Sequence, residues 1–223
     1  TGQPPFIIAE MSGNHNQSLE RALEITEAAA KSGVQALKLQ CYTADTMTLD
    51  VSEGDFFIDD ENSLWKGNSL YELYKIAYTP WEWHEPIKKR ANDLGMICFS
   101  TPFDETSLEY LEELNMPAYK IASFENIDIS LIKKVASTGK PIIVSTGMAN
   151  LSELSEIVST IRDVGSEKFA LLKCTTSYPA SPKNSNVLTI PHMKKMFNCE
   201  IGLSDHTMGV GAAVAAVAHG ASI

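Results

Sequence analysis

The sequence predicts an α/β protein of the (β/α)8 TIM-barrel class, present as about seven βα units plus the start of an eighth strand. Three observations carry this. Short apolar runs alternate with amphipathic stretches along the whole chain, the pattern of parallel strands joined by helical crossovers. Seven such pairs can be counted, and Ala221-Ser222-Ile223 opens like one more strand; eight units close a barrel. The first turn, Met11-Ser12-Gly13-Asn14-His15-Asn16, lacks the G-x-G-x-x-G that marks the nucleotide site of a flat doubly wound sheet, the structural alternative.

The elements follow in order. Residues 6–10 form the first strand, and Ser18 caps a helix that runs to Gly33, a pairing of cap and stop that helices favour. Strands are predicted at 34–40, 96–100, 118–122, 141–145, 169–174 and 200–204. Helices are predicted around 81–94, 105–114, 130–137, 152–164, 187–196 and 209–219. The connection from Cys41 to about Pro80 is long for a compact domain. It carries Trp65, Tyr71 and Tyr74 and is not rich in Pro, Gly or Ser, so it reads as a structured excursion. Residues 1–223 read as a single TIM-barrel domain.

Composition limits the function. The chain has 223 residues, 44% hydrophobic, enough for one sizeable core. A formal net charge of −10 argues against a general nucleic-acid partner. No apolar run is long enough to span a bilayer, and the opening Thr1-Gly2-Gln3-Pro4-Pro5 has no leader pattern, so a cytoplasmic protein is expected. Cys41, Cys98, Cys174 and Cys199 form no C-x-x-C pair and read as buried, reduced packing residues.

In a barrel, alternate strand residues face the barrel or the helices, and active sites lie at the carboxyl ends of the strands. The polar residues there are Glu10, then Lys38 and Gln40 if the flanking leucines face the helices, then Ser100-Thr101, Lys120 with Ser123 and Glu125, Ser145-Thr146, Thr176 and Tyr178. The last strand turns Gly202, Ser204 and His206 inward. Each has a bland reading: a strand-end hydroxyl caps the next helix, one lysine pairs with Glu10, and a lone histidine sits satisfied in the core. Two inward lysines are harder to dismiss, because an unpaired buried ammonium is costly. Beside a cluster of hydroxyls they point to a phosphorylated or carboxylated ligand. His206, beside Asp205, has the features of a metal ligand with an oriented second nitrogen. These residue types do not name a reaction.

Six stretches, each at a predicted strand end, resemble the sialic acid synthase family: Ala9-Glu10-Met11-Ser12-Gly13-Asn14-His15-Asn16, Leu37-Lys38-Leu39-Gln40, Phe99-Ser100-Thr101-Pro102-Phe103, Tyr119-Lys120-Ile121-Ala122-Ser123, Val144-Ser145-Thr146-Gly147-Met148 and Gly202-Leu203-Ser204-Asp205-His206-Thr207. The resemblance implies a barrel that condenses phosphoenolpyruvate with an amino-sugar aldehyde, assisted by a divalent metal, Mn2+ or Mg2+. It implies that Lys38, Lys120, Ser123, Ser145 and Ser204 hold phosphoenolpyruvate, with Thr101 in the same pocket. Glu10 is implied as an active-site carboxylate, His206 as a metal ligand and Tyr178 as a lining aromatic. Thr176 stands where N-acetylneuraminate-forming members carry Asn. The first loop, with Leu70-Tyr71-Glu72-Leu73-Tyr74 and Thr79-Pro80-Trp81-Glu82-Trp83-His84, is similar to the members that make pseudaminic acid; N-acetylneuraminate- or legionaminate-forming members are the alternatives. The resemblance places a second metal histidine beyond Ile223, followed by a small C-terminal antifreeze-like domain, and implies a homodimer in the full-length form. Within this chain His15 is the first residue to examine as a second imidazole.

Two rivals remain at this point. A Schiff-base barrel aldolase needs one desolvated lysine with a depressed pKa, and a non-catalytic sugar-binding barrel would have no use for Glu10, Lys38, Lys120 and His206 together.

Overall fold

The computed structural model describes residues 3–61, 63 and 65–223; Thr1 and Gly2, read above as part of the chain start, lie outside it. The chain divides into two compact units, residues 8–116 and residues 117–223 with the stretch through Ile7.

In the first unit the strands are β1 (Ile8–Glu10), β2 (Ala36–Cys41) and β3 (Ile97–Pro102). They pair in parallel and in chain order. Helix α1 (Leu19–Lys31) starts where expected, with the Ser18 side chain accepting from the Arg21 N–H. Leu37 and Leu39 of β2 are fully buried among Ala22 and Ala29 of α1 and Ile87 and Ala91 of α4 (His84–Asp93). The leucines therefore face the helices. Strand alternation puts Lys38 and Gln40 on the opposite face, as the sequence predicts. Helix α5 (Glu105–Glu113) follows β3 and is capped by Asp104.

The described residues of the excursion between β2 and α4 are structured. They hold the short helices α2 (Ala44–Met47) and α3 (Leu70–Ala77), and an antiparallel bridge joins Phe57 to Ser69. A Ser69–Glu72 capping box starts α3. The first βα loop is stapled to the end of this excursion. Gln17 Nε2 donates to the Ile76 and Tyr78 carbonyls at 3.1 and 2.6 Å. A Cβ on Gly13 would stand 2.7 Å from the Ala77 carbonyl oxygen, so the approach requires glycine.

In the second unit β4 (Tyr119–Ile121), β5 (Ile142–Ser145), β6 (Phe169–Cys174) and β7 (Glu200–Ser204) also pair in parallel and in chain order. Helices α6 (Ile129–Ser137), α7 (Leu151–Asp163), α8 (Thr189–Phe197) and α9 (Gly211–Ala218) alternate with them. The strand order reverses in neither unit. That is the barrel series, and it excludes the doubly wound alternative, whose order reverses at a switch point. The predicted eighth strand is not a named strand, yet it pairs like one. The Ser222 N–H donates to the Ile201 carbonyl at 2.9 Å, the Leu203 N–H to the Ile223 carbonyl at 2.9 Å, and the Phe6 N–H to the Ser222 carbonyl at 2.8 Å. None of the described helices is long and apolar enough to cross a membrane.

One buried histidine gives the first unit a pH signature. His84 is fully buried at the start of α4, with Nδ1 3.2 Å from the Trp81 carbonyl and its ring edge-on to Tyr110. Burial lowers its pKa from 6.5 to about 4, against the opposing pull of the Trp81, Pro80 and Gln40 carbonyls. The unfolded chain therefore binds this proton more tightly. Its contribution to stability is fully present above pH 6.5 and is lost as the pH falls toward 4. A loss on the order of 3 kcal/mol across that window is expected. Urea unfolding at both ends of the window, with wild type and His84→Leu, checks this: the variant should start less stable and lose less on acidification.

Candidate active site

The register of the second unit decides which side chains share a face. Lys120 pairs with Ile143, Ile143 with Ala170; Ser145 pairs with Leu172, Leu172 with Gly202; Cys174 pairs with Ser204. With a two-residue repeat along each strand, Lys120, Ser145, Cys174 and Ser204 fall on one face, and Thr176 and His206 continue it. A Cβ on Gly202 would come within 2.6 Å of the Leu172 side chain, as same-face neighbours should.

Lys120 sits at the centre, 5% exposed. Its amine donates to the Ile121 carbonyl at 2.8 Å and to Ser145 Oγ. No carboxylate lies within ion-pair distance of it among the described residues. Burial pushes this amine well below the ordinary lysine range, opposed by the charges of Cys174 and Glu125. Burial likewise pushes the Glu125 carboxyl up, opposed by Lys120. Glu125 Oε2 and Ser123 Oγ are buried without a well-aligned hydrogen-bond partner. Unsatisfied buried polar atoms in a native site call for an occupant, and the Glu125 carboxyl interacts with the charge of Lys120.

His206 lies just past β7. Its Nδ1 is 2.9 Å from the Thr175 carbonyl, which makes Nδ1 the donor. Thr175, rather than Asp205, therefore orients the ring; Asp205 Oδ1 instead accepts from the Thr207 N–H at 2.9 Å. The Tyr178 ring lies 4.2 Å from the His206 ring, and Tyr178 is largely exposed. Hydrogen bonding with the Cys174 thiol raises the His206 pKa, against burial and with help from the Thr175 carbonyl. For Cys174 burial alone would push the thiol up, but contact with His206, Ser123 and Ser204 outweighs it and the net shift is down. Cys174 is thus a member of the site as well as a packing residue.

The first unit holds its own cluster. Glu10 and Lys38 are register partners and form an ion pair, and Lys38 Nζ reaches Thr101 Oγ1 at 3.4 Å. The bland reading of a lysine paired with Glu10 therefore applies to Lys38, and of the two predicted lysines only Lys120 is buried without a carboxylate at ion-pair distance among the described residues. His15 is fully buried, and both of its nitrogens are engaged. Nδ1 accepts from the Gln17 N–H at 3.2 Å, so Nε2 carries the proton that reaches Thr79 Oγ1 at 3.1 Å. Both bonds fasten the loop that carries it. On His206 a backbone carbonyl orients Nδ1, an arrangement that metal-ligating imidazoles also use. Among the described residues no group of three His, Cys, Asp or Glu side chains could complete a metal site.

The sequence reading missed two supports. Asn126 is buried and its Nδ2 donates to the Ser145 and Gly147 carbonyls at 3.1 and 2.9 Å, clamping the turn after β5. Gly147 has no room for a side chain: a Cβ would stand 2.5 Å from Thr176 Cγ2 and 2.7 Å from Ser123 Oγ. The G in Ser-Thr-Gly was a visible signal for the second; nothing in the sequence pattern marked the first. Gly147→Ala should push Ser123 aside and destabilise the fold by about 1–3 kcal/mol, while weakening binding of inorganic phosphate. Denaturant midpoints and calorimetric phosphate titration of the two proteins check both effects.

Residues 25–223 match the model of the NeuB family. The chain is 45% identical to the pseudaminic acid synthase of Helicobacter pylori, over 99% of this chain and 64% of that protein. It is 34% identical to the N,N'-diacetyllegionaminic acid synthase of Legionella pneumophila, over 98% of this chain and 62% of that protein. Among solved structures, the N-acetylneuraminic acid (sialic acid) synthetase of Leptospira borgpetersenii serovar Hardjo-bovis, in complex with citrate, superposes with a TM-score of 0.88 at 32% identity, over 99% of this chain and 72% of that one. The chain spans just under two thirds of the length of the Helicobacter relative. A strand series that never reverses, the inward register of its polar residues and a family match over nearly all of its length agree: the chain belongs to the NeuB family.

Proposed function

We propose that the protein is a phosphoenolpyruvate-dependent nonulosonic acid synthase, and that its second substrate is a 2,4-diacetamido-2,4,6-trideoxy hexose of altro configuration, giving pseudaminic acid and phosphate. The observation that carries the reading is Lys120, buried beside Ser145 with no carboxylate at ion-pair distance among the described residues, in a unit where Ser123 Oγ and Glu125 Oε2 are also buried without a well-aligned partner. An anion entering there would restore the ammonium charge, and charge-assisted hydrogen bonds of this kind are the strong ones. The identity of 45% to a pseudaminic acid synthase, against 34% to a legionaminic acid synthase, supports the choice of sugar.

In the proposed reaction C3 of phosphoenolpyruvate attacks the aldehyde carbon of the open-chain sugar. Water adds to C2, and the tetrahedral intermediate releases phosphate by C–O cleavage. Lys120 holds the anionic groups, and Ser123, Ser145 and Ser204 orient them. For Lys38 and Thr101, in the first unit, a role toward phosphoenolpyruvate rests on the family resemblance alone. Glu125, its carboxyl pushed up to about 7 by burial, is suited to exchange a proton near neutral pH; Glu10 positions water or moves one. Thr176 and Tyr178 contact the sugar. His206 contributes one ligand to a divalent cation, Mn2+ or Mg2+, whose chemistry would be Lewis-acid polarisation of the aldehyde. A homodimer in the cytoplasm completes the reading.

A second reading has one observation in its favour. Lys120 is the desolvated, low-pKa lysine that a Schiff-base aldolase needs. Borohydride treatment with pyruvate separates the two: a reduced adduct on Lys120 without phosphate release would favour the aldolase.

The test is phosphate release by the full-length protein with phosphoenolpyruvate and a panel of amino sugars. Release with the altro sugar should exceed that with N-acetylmannosamine, vanish with EDTA and return with Mn2+ or Mg2+. Lys120→Ala should stay folded and lose about 10–100-fold in kcat/KM, the worth of a hydrogen bond to a charged group. Unchanged kcat and unchanged KM for phosphoenolpyruvate would overturn the assignment.

A further inference from the structure

Lys173 is a second buried lysine in the same unit that the chemistry above does not use. It lies on the face of β6 opposite Leu172 and Cys174, the face it shares with fully buried Leu171. It is 9% exposed. Its amine donates to Thr175 Oγ1 at 2.7 Å and reaches the Asn184 carbonyl at 3.4 Å. Thr175 Oγ1 donates in turn to the Asn184 carbonyl at 3.1 Å, and Asn186 Nδ2 donates to the same oxygen at 3.2 Å. No carboxylate comes within ion-pair distance of Lys173 among the described residues. Burial lowers its pKa, with the Cys174 charge opposing. A methionine would fill this volume without the cost of desolvating an amine, so the amine needs a reason.

The reason lies in what the two acceptors bracket. Thr175 and Asn184 are the two ends of a loop, and Lys173 ties its neck. Across residues 175–184 the regular structure is a bridge of Ala180 to Thr207 and one short 3-10 turn, Pro182–Asn184. That loop holds His206 at three points. The Thr175 carbonyl takes Nδ1 at 2.9 Å, the Ala180 N–H donates to the His206 carbonyl at 2.8 Å, and the Tyr178 ring packs on the imidazole. Nδ1 has the Thr175 carbonyl as its partner, and Thr175 is the residue whose side chain Lys173 grips.

We propose that Lys173 is a positioning residue: its buried amine ties the neck of the 175–184 loop, and the loop, through the Thr175 carbonyl, sets the rotation of the His206 imidazole. The catalytic part of this inference rests on the reading of His206 given above; the clamp itself does not.

The test compares wild type with Lys173→Met, Lys173→Arg and Thr175→Val in the full-length protein. Hydrogen exchange without added metal reads the clamp alone. The Ala180 amide should exchange faster in Lys173→Met and Thr175→Val, return toward wild type in Lys173→Arg, and leave amides of β4 and β5 unchanged. Kinetics read the consequence. Lys173→Met should lower kcat and raise the Mn2+ concentration needed for activation by about 10-fold or more, the usual cost of an outer-shell partner, with KM for phosphoenolpyruvate unchanged. Unaltered Ala180 exchange in both apolar variants would overturn the proposal, as would faster exchange spread evenly over the unit, which would mean lost stability and no specific clamp. If Lys173→Met does not fold, Thr175→Val carries the decision. Absence of phosphate release by the wild type would sink the functional reading while the exchange measurement still decides the clamp.

Discussion

The amine of Lys120 is buried at the end of β4, held by a carbonyl and a hydroxyl and by no carboxylate at ion-pair distance among the described residues. Much of the second unit is arranged around that fact. An ammonium in such a place loses its proton unless an anion joins it, so the surroundings must keep room for one. Gly147 leaves space where any side chain would strike Ser123 or Thr176. Asn126 fixes the turn that carries Gly147 by holding two of its carbonyls. Ser123 and Glu125 leave buried polar atoms without a well-aligned partner. Packing alone would have removed each of these features.

The two lysines that look alike in the sequence differ in this respect. Lys38 has Glu10 opposite it in the register and forms an ion pair with it. Its charge is balanced within the first unit before any ligand arrives. Lys120 has Ile143 opposite it in the register. The difference lies in which residue the neighbouring strand presents, and it makes Lys120 the stronger anchor for an anion.

The histidines divide in the same way. His15, His84 and His206 all follow strand ends or open helices near them. Burial lowers the pKa of His15 and His84, and their neighbours engage them as structural groups. For His206 a carbonyl on one nitrogen and a thiol against the ring raise it. A loop tied at its neck by Lys173 supplies that carbonyl, so the ring's setting depends on residues outside the site.

Much was legible from the sequence alone. All seven strands were placed, because parallel strands with helices on one side read as short apolar runs with polar interruptions, and β-period alternation assigned Lys38, Ser204 and His206 their face. The excursion between β2 and α4 was legible as structured because it carries Trp65, Tyr71 and Tyr74 and is not rich in Pro, Gly or Ser; the Ser69–Glu72 capping box is what the structure adds. What the sequence determined, then, was the order of the elements and the facing of each residue within its own strand, both of which depend on neighbours a few positions away. The tertiary structure decided which partner each polar group meets: Lys38 and not Lys120 as the lysine paired with Glu10, Ser145 for Lys120, Thr175 rather than Asp205 for His206, Thr79 for His15. Those partners lie 25 to 64 positions away along the chain, and only strand register and loop path bring them within hydrogen-bond distance.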